Sequence, residues 1–234
     1  MHVPEWRHDN LYLRYVIGIP LEGFGQAHLT AKRSLLREIH SRHASQWNES
    51  VLTIGFARRA ATYKRADLLF ADLERLRRIA VQIGPLQIVY AGKAHPRDEG
   101  GKRLIRQVVQ AAAVLNSDTI KIIYLENYEL SLARRVTSGV DLWLNTPQAP
   151  QEASGTSGMK AALNGVPSLS ILDGWWIEGC LEGLTGWAIG QGGTAPHPSE
   201  ESASLNHKLE STIVPLYYGR PTAYLGTHAG CDRA

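Results

Sequence analysis

Residues 50–91 read SVLTIGFARRAATYKRADLLFADLERLRRIAVQIGPLQIVYA. Ser50–Phe56 is an apolar run rich in β-branched and aromatic residues, the pattern of a buried strand. It passes into a basic turn, and Ala66–Val81 then repeats apolar residues at helical spacing. Leu86–Ala91 is a second buried strand, stopped at Gly92. Strand, helix and strand joined by short connections are expected to give a parallel pair with the helix packed over it.

The same alternation continues downstream. Helices are expected over 99–115, Leu130–Ser138 and 157–164, and strands over Ile120–Leu125, Val140–Leu144 and Pro167–Leu172. Upstream, Phe24–His43 carries apolar residues at helical spacing. The fold class that follows is α/β: a Rossmann-like, doubly wound parallel sheet with helices on both faces. Ligands in such sheets sit beyond the carboxyl ends of the strands, so the informative residues should follow strands. Gly190–Ser204 reads as a Gly/Pro/Ser-rich loop, a helix is expected over 205–214, and Thr222–Ala234 shows no pattern.

Composition narrows the function classes. Among 234 residues, 44% are hydrophobic and 20% charged, which is ordinary for a globular protein and unlike a disordered one. A net charge of +3 is a smaller excess than nucleic-acid binders concentrate into a stripe, so no nucleic acid is expected. Cys180 and Cys231 have neither a disulfide framework nor metal-ligand spacing, so no metal is expected and a reducing cytoplasm is the default. No apolar run reaches the roughly 18 residues of a membrane span, and the first residues lack a signal-peptide core.

Three segments carry chemistry. In FARRAATYKR, Arg58, Arg59, Lys64 and Arg65 put four cations within eight positions just past a strand. Cations this close repel unless an anion or counter-charge joins them, so a phosphate-type ligand fits; a solvated basic turn fits too. Positive charge at the expected helix start opposes the helix dipole, which favours the anion. In EASGTSGMKAALNG, small residues from Ser154 to Gly158 let backbone N–H groups approach a ligand, and Lys160 projects from the following helix. A lysine held beside an aldehyde cofactor can form a Schiff base; a Gly/Ser loop capping an ordinary helix, with Lys160 solvated, is the plainer reading. In YLENYELSLARR, Tyr128 follows a strand, placed either to meet a ligand or to join the core. Lys93, after Ala91-Gly92, has the same ambiguity.

Together these strings resemble the C-terminal catalytic domain of the α-glucan phosphorylases. The likeness runs from about residue 26 to 190 through TIGFARRAATYKRADLLF, IVYAGKAHPRDEGGK, YLENYELSLARR, EASGTSGMKAALNG, LSILDGWW and GWAIG, and is closest to the short bacterial and archaeal forms. It implies one half of a two-domain GT-B glycosyltransferase that cleaves α-1,4-glucan with inorganic phosphate to glucose 1-phosphate, using pyridoxal 5′-phosphate. Lys160 matches the lysine that holds the cofactor as a Schiff base. Gly155, Thr156 and Ser157 match the loop around its 5′-phosphate, and Arg58 stands where many relatives have a lysine reaching that phosphate. Tyr128 matches a tyrosine beside the cofactor, and Arg59 and Lys64 match the pair on substrate phosphate. Glu152, Ser154 and Gly155 match positions that bind glucose hydroxyls. The resemblance further implies a partner N-terminal domain and dimers as in family members. Three segments are expected, with bounds set by the extent of this resemblance rather than by periodicity: a lead-in over 1–25, the α/β domain over 26–218, and an irregular tail over 219–234.

Two rivals remain open at this point. A nucleotide-sugar glycogen or starch synthase shares the architecture and a similar loop but places glutamate where Lys160 stands. The chain would otherwise be a fragment or one piece of a split enzyme, binding cofactor without turnover, because the family's other domain contributes half of the contacts.

Overall fold

The computed structural model describes Glu5, residues 8–190 and residues 197–233. After a 3-10 helix over Asn10–Gly18, helix α1 (Leu21–His43) leads to strand β1 (Leu52–Ala57). Helix α2 (Leu73–Gln82), β2 (Leu86–Ala91), α3 (Glu99–Leu115), β3 (Ile120–Leu125), α4 (Leu130–Gly139) and β4 (Leu142–Asn145) follow. Then come α5 (Thr156–Ala162), β5 (Ser168–Ile171), the short α6 (Trp176–Gly179) and β6 (Gly186–Ile189). The chain closes with α7 (Pro198–Lys208), a π-helical turn (Leu209–Ile213), α8 (Val214–Gly219) and α9 (Pro221–Arg233).

Among the described residues, six strands form one sheet in the order β3-β2-β1-β4-β5-β6, every pair parallel. This is the doubly wound order whose winding reverses between β1 and β4. Both sheet faces are covered, which is why the strands read as nearly unbroken apolar runs. Ile54, Phe56, Ile88 and Tyr90 alternate onto one face with Leu76, Ile79 and Val108 of α2 and α3. Ala57, Val89, Leu125 and Trp143 point to the other, against Leu35 and Ile39 of α1 and Leu132 and Val136 of α4. At Gly55 a Cβ would come within 2.8 Å of Val140, so only glycine lets α4 hand over to β4 this tightly.

The expected alternation from β1 to β5 is present, with element ends moved by a few residues and two substantive differences. The helix expected from Ala66 begins only at Leu73, where the Asp72 side chain accepts the Arg75 N–H at 2.9 Å. The stretch before it forms two 3-10 turns, Thr62–Lys64 and Leu68–Phe70, separated by Arg65 at φ 46°, a left-handed residue that an α-helix cannot contain. The basic turn is therefore not at an α-helix amino terminus, and the dipole reasoning does not apply to it.

The second difference lies past residue 185. Strand β6 has no counterpart among the expected elements, and residues 198–204 of the expected loop are helical; residues 191–196 lie outside the described residues. Pro198 opens α7 with Glu200 and Glu201 in its first turn, a helix start hidden inside a Gly/Pro/Ser-rich composition. The tail expected to be irregular is helix α9, which buries Tyr224, Thr227, His228 and Ala229 at helical spacing. Among the described residues, no helix is long and apolar enough to cross a membrane.

The amino end of the sheet is locked by a buried polar network. Asp141, just before β4, takes Lys32 Nζ at 2.5 Å, His28 Nε2 at 2.8 Å and the Thr53 N–H at 2.7 Å. Lys32 Nζ also donates to the Val51 carbonyl at 2.8 Å and the Tyr217 hydroxyl at 3.2 Å, and Tyr224 Oη donates to the Asp141 carbonyl at 2.9 Å. Burial alone would raise the Asp141 carboxyl, but Lys32 and His28 outweigh it and hold it well below the usual range. The His228 ring packs at a tilt against His28 with centroids 4.3 Å apart, and burial together with His28 pushes its imidazole down to about 3. The folded chain thus keeps His228 neutral, while the unfolded chain protonates it below about pH 6.5. Stability should fall by up to ~1.4 kcal/mol per pH unit as pH drops from there toward the folded value. Urea unfolding of wild type and H228F at pH 7 and pH 5 checks this. The wild type should lose more stability than the variant, and equal losses would contradict it.

Candidate functional site

The winding reverses between β1 and β4, and the segments leaving the carboxyl ends of these two strands meet over the crevice between them. They are stitched together in several places. The Gln148 N–H donates to the Tyr63 carbonyl at 2.7 Å, and Thr146 Oγ1 donates to the carbonyls of Lys64 and Arg65 at 3.0 Å each. On the other side, the Arg58 N–H donates to the Ala91 carbonyl at 3.1 Å. The Arg58 carbonyl is so close to Gly92 that a Cβ there would lie 2.0 Å from its oxygen. The basic turn is thus clamped between the ends of β2 and β4.

This brings Arg58, Lys64 and Glu152 into contact. Arg58 Nη2 lies 2.5 Å from Glu152 Oε2, and Lys64 Nζ hydrogen-bonds the same oxygen. All three are buried, at 6%, 7% and 7% exposure. Burial pushes the Glu152 carboxyl up, yet Lys64 and Arg58 overcome this and leave it below its ordinary value. Burial lowers the Arg58 guanidinium despite Glu152 beside it, though an arginine stays charged throughout. Two cations therefore share one carboxylate, and the cluster carries a net positive charge. Arg58 Nη1 is buried with no hydrogen-bond partner among the described residues. A buried guanidinium N–H without an acceptor is costly, and an anion would satisfy it.

Arg59 is exposed beside this cluster. Burial pushes the Tyr63 hydroxyl up, but Lys64 and Arg59 beside it bring the net shift down, and Lys64 Nζ sits 4.5 Å from the Tyr63 ring centre. Tyr128 is half-buried against the core, with its hydroxyl 3.5 Å from the Ala57 carbonyl and pushed up by burial. It ties the end of β3 to the end of β1. Lys93 is exposed.

The glycine loop stands next to the cluster through Glu152. Ser154 is exposed, Gly155 has φ 84°, and in the α5 helix that follows Ser157 is half-buried while Thr156 and Lys160 are exposed. Lys160 Nζ has no hydrogen-bond or ion-pair partner among the described residues, so the amine is available.

Asp173 and Trp175, whose sequence context assigns them no role, shape this loop. Asp173 Oδ2 accepts the Glu152 N–H at 2.8 Å, and the Trp175 N–H donates to the Ser154 carbonyl at 2.9 Å. A Cβ on Gly155 or Gly158 would lie 2.8 or 2.9 Å from the Trp175 indole. The Asp173-Gly174 turn after β5 was the one available signal, since ligand-facing residues follow strands.

The Glu152 carboxylate is the counter-charge that lets Arg58 and Lys64 be buried together. Its replacement in E152A should destabilise the chain by about 3–5 kcal/mol, the usual result of leaving buried charges unpaired. Added inorganic phosphate should recover more stability in the variant than in wild type, read as the thermal midpoint with and without phosphate. A variant that phosphate does not help would show that the pocket is no anion site.

Residues 21–182 match the family described as carbohydrate phosphorylase. Over 217 residues the chain is 45% identical to a maltodextrin phosphorylase of Thermococcus litoralis, covering 86% of this chain and 26% of that protein. It is 41% identical over 233 residues to a glycogen phosphorylase of Aquifex aeolicus, covering 91% and 33%. A glycogen phosphorylase of Mycobacterium tuberculosis is 43% identical over 182 residues, covering 76% and 21%. The chain thus spans from about a fifth to a third of the length of these curated relatives.

Proposed function

Because the chain belongs to the carbohydrate phosphorylase family, we propose that it is the cofactor-bearing part of an α-glucan phosphorylase. That enzyme splits α-1,4-glucan with inorganic phosphate to glucose 1-phosphate. Residues 26–218 are its pyridoxal-phosphate domain. The substrates follow the printed names of the relatives, maltodextrin and glycogen phosphorylases. Turnover belongs to the enzyme that also supplies the groups found in the rest of those relatives, and a homodimer in the cytoplasm is its proposed setting.

The observation that carries this reading is the unpaired, buried Nη1 of Arg58 beside Lys64 and Glu152. It fits a phosphate group, and the exposed Lys160 amine fits an aldehyde. Lys160 would hold pyridoxal 5′-phosphate through its aldehyde carbon. Arg58 and the Gly155, Thr156 and Ser157 loop would hold its 5′-phosphate, with Tyr128 alongside. When bound, the cofactor supplies a phosphate whose second pKa, about 6, allows proton exchange near neutral pH. Arg59 and Lys64 would hold the substrate phosphate, offset the repulsion between two neighbouring phosphates and stabilise charge as the glycosidic bond breaks. An incoming phosphate would also replace Glu152 as the counter-charge of Lys64, freeing that carboxylate, with Ser154 and Gly155, for the hydroxyls of the transferred glucose.

Incubation with pyridoxal 5′-phosphate should give a yellow chromophore that borohydride fixes on Lys160, and K160A should show none. In R58M the cofactor should bind at least about tenfold more weakly, the loss of one charge-assisted hydrogen bond. Pyridoxal without the phosphate should bind R58M and wild type alike. A label on other lysines, or equal weakening of both aldehydes by R58M, would refute the assignment.

A further inference from the structure

Arg65 is the one cation of the basic turn that the proposed chemistry does not use, and it is held more elaborately than the others. Its φ of 46° turns the chain sharply straight after Lys64. Its side chain reaches in three directions. Nε donates to the Thr146 carbonyl at 3.1 Å, Nη2 donates to the Pro147 carbonyl at 2.6 Å, and Nη1 pairs with Glu201 of α7. The Arg65 and Glu201 side chains are only 13% and 3% exposed. Thr146 closes the circuit by donating back to the carbonyls of Lys64 and Arg65.

A buried ion pair of this kind adds little net stability over apolar residues of the same volume, because both charges lose their hydration. It does impose geometry, since a planar guanidinium can satisfy two carbonyls and a carboxylate at once and an ammonium cannot reproduce that fork. The geometry it imposes is the spacing between the Lys64 backbone and the segment that runs from β4 to Glu152.

We propose that Arg65 and Glu201 are a positioning pair that sets the Lys64 amine against Glu152, making α7 part of the phosphate-handling machinery. Its relevance to catalysis rests on the role of Lys64 given above. Glu201 touches no group assigned to substrate or cofactor; it acts through Arg65, and Arg65 acts through the backbone of Lys64.

The test needs no ligand. In the full chain with glutamate carboxyl carbons labelled, the Glu152 signal, assigned by its loss in E152Q, is followed by nuclear magnetic resonance through a pH titration. Wild-type Glu152 should titrate below the ordinary glutamate value. K64M, which removes the direct partner, calibrates the upward shift that full loss of Lys64 produces. E201Q should shift Glu152 upward in the same direction. So should the double variant R65M/E201M, whose apolar pair fills the same volume and keeps the chain folded, as a cooperative thermal transition checks. A Glu152 titration in the folded double variant that overlays wild type would overturn the proposal and leave the pair a merely structural contact. Failure of pyridoxal phosphate to label Lys160 would remove the functional reading without changing this titration, so the two failures are distinguishable.

Discussion

Two cations and one carboxylate buried over the reversal point of the sheet set the character of this molecule. Arg58 and Lys64 both lie in the turn after β1 and would repel each other in a low-dielectric interior. Glu152, arriving from β4, holds them together through a single oxygen. One negative charge cannot satisfy two positive ones, and the excess appears as the buried Nη1 of Arg58, without an acceptor among the described residues. The parallel sheet places this imbalance where doubly wound folds bind ligands, and the surplus charge selects an anion.

The two ends of the sheet are built on opposite terms. At the amino end, the Asp141 carboxylate and the Lys32 amine each meet several partners, and both charges are matched. That end holds α1, β1, β4 and the closing helices in register. At the carboxyl end the hydrogen bonds go mainly to backbone, fixing loops against one another, while among the described residues Arg58 keeps an unused donor and the Lys160 amine has no partner. A rigid frame under an incompletely neutralised site is the arrangement expected of a group that receives a charged ligand, with the Glu152 pairing the contact that exchanges.

Much of this could be read from the sequence because local pattern and final fold agree. From Leu52 to Ile171 the apolar runs and helical spacings correspond to the strands and helices, and the chemistry-bearing residues follow strands. What escaped was fixed by partners distant in sequence or masked by composition. Arg65 reads as the last residue of a basic turn before a helix, and nothing local shows that contacts to Thr146, Pro147 and Glu201 hold it in a left-handed conformation. The start of α7 hid in a Gly/Pro/Ser-rich stretch, and α9 has a buried face made largely of small and polar residues. Glu152 read as a sugar ligand and Arg58 and Lys64 as phosphate ligands, with nothing local to indicate that they neutralise one another. Lys32 and Asp141 are 109 residues apart, and no sequence period joins them.

The most direct measurement is a crystal structure of the chain grown with pyridoxal 5′-phosphate. The expected result is continuous density from Lys160 Nζ to the aldehyde carbon, with a 5′-phosphate oxygen within hydrogen-bond distance of Arg58 Nη1. Cofactor bound away from the β1–β4 crevice, with Arg58 still contacting Glu152 alone, would contradict the account.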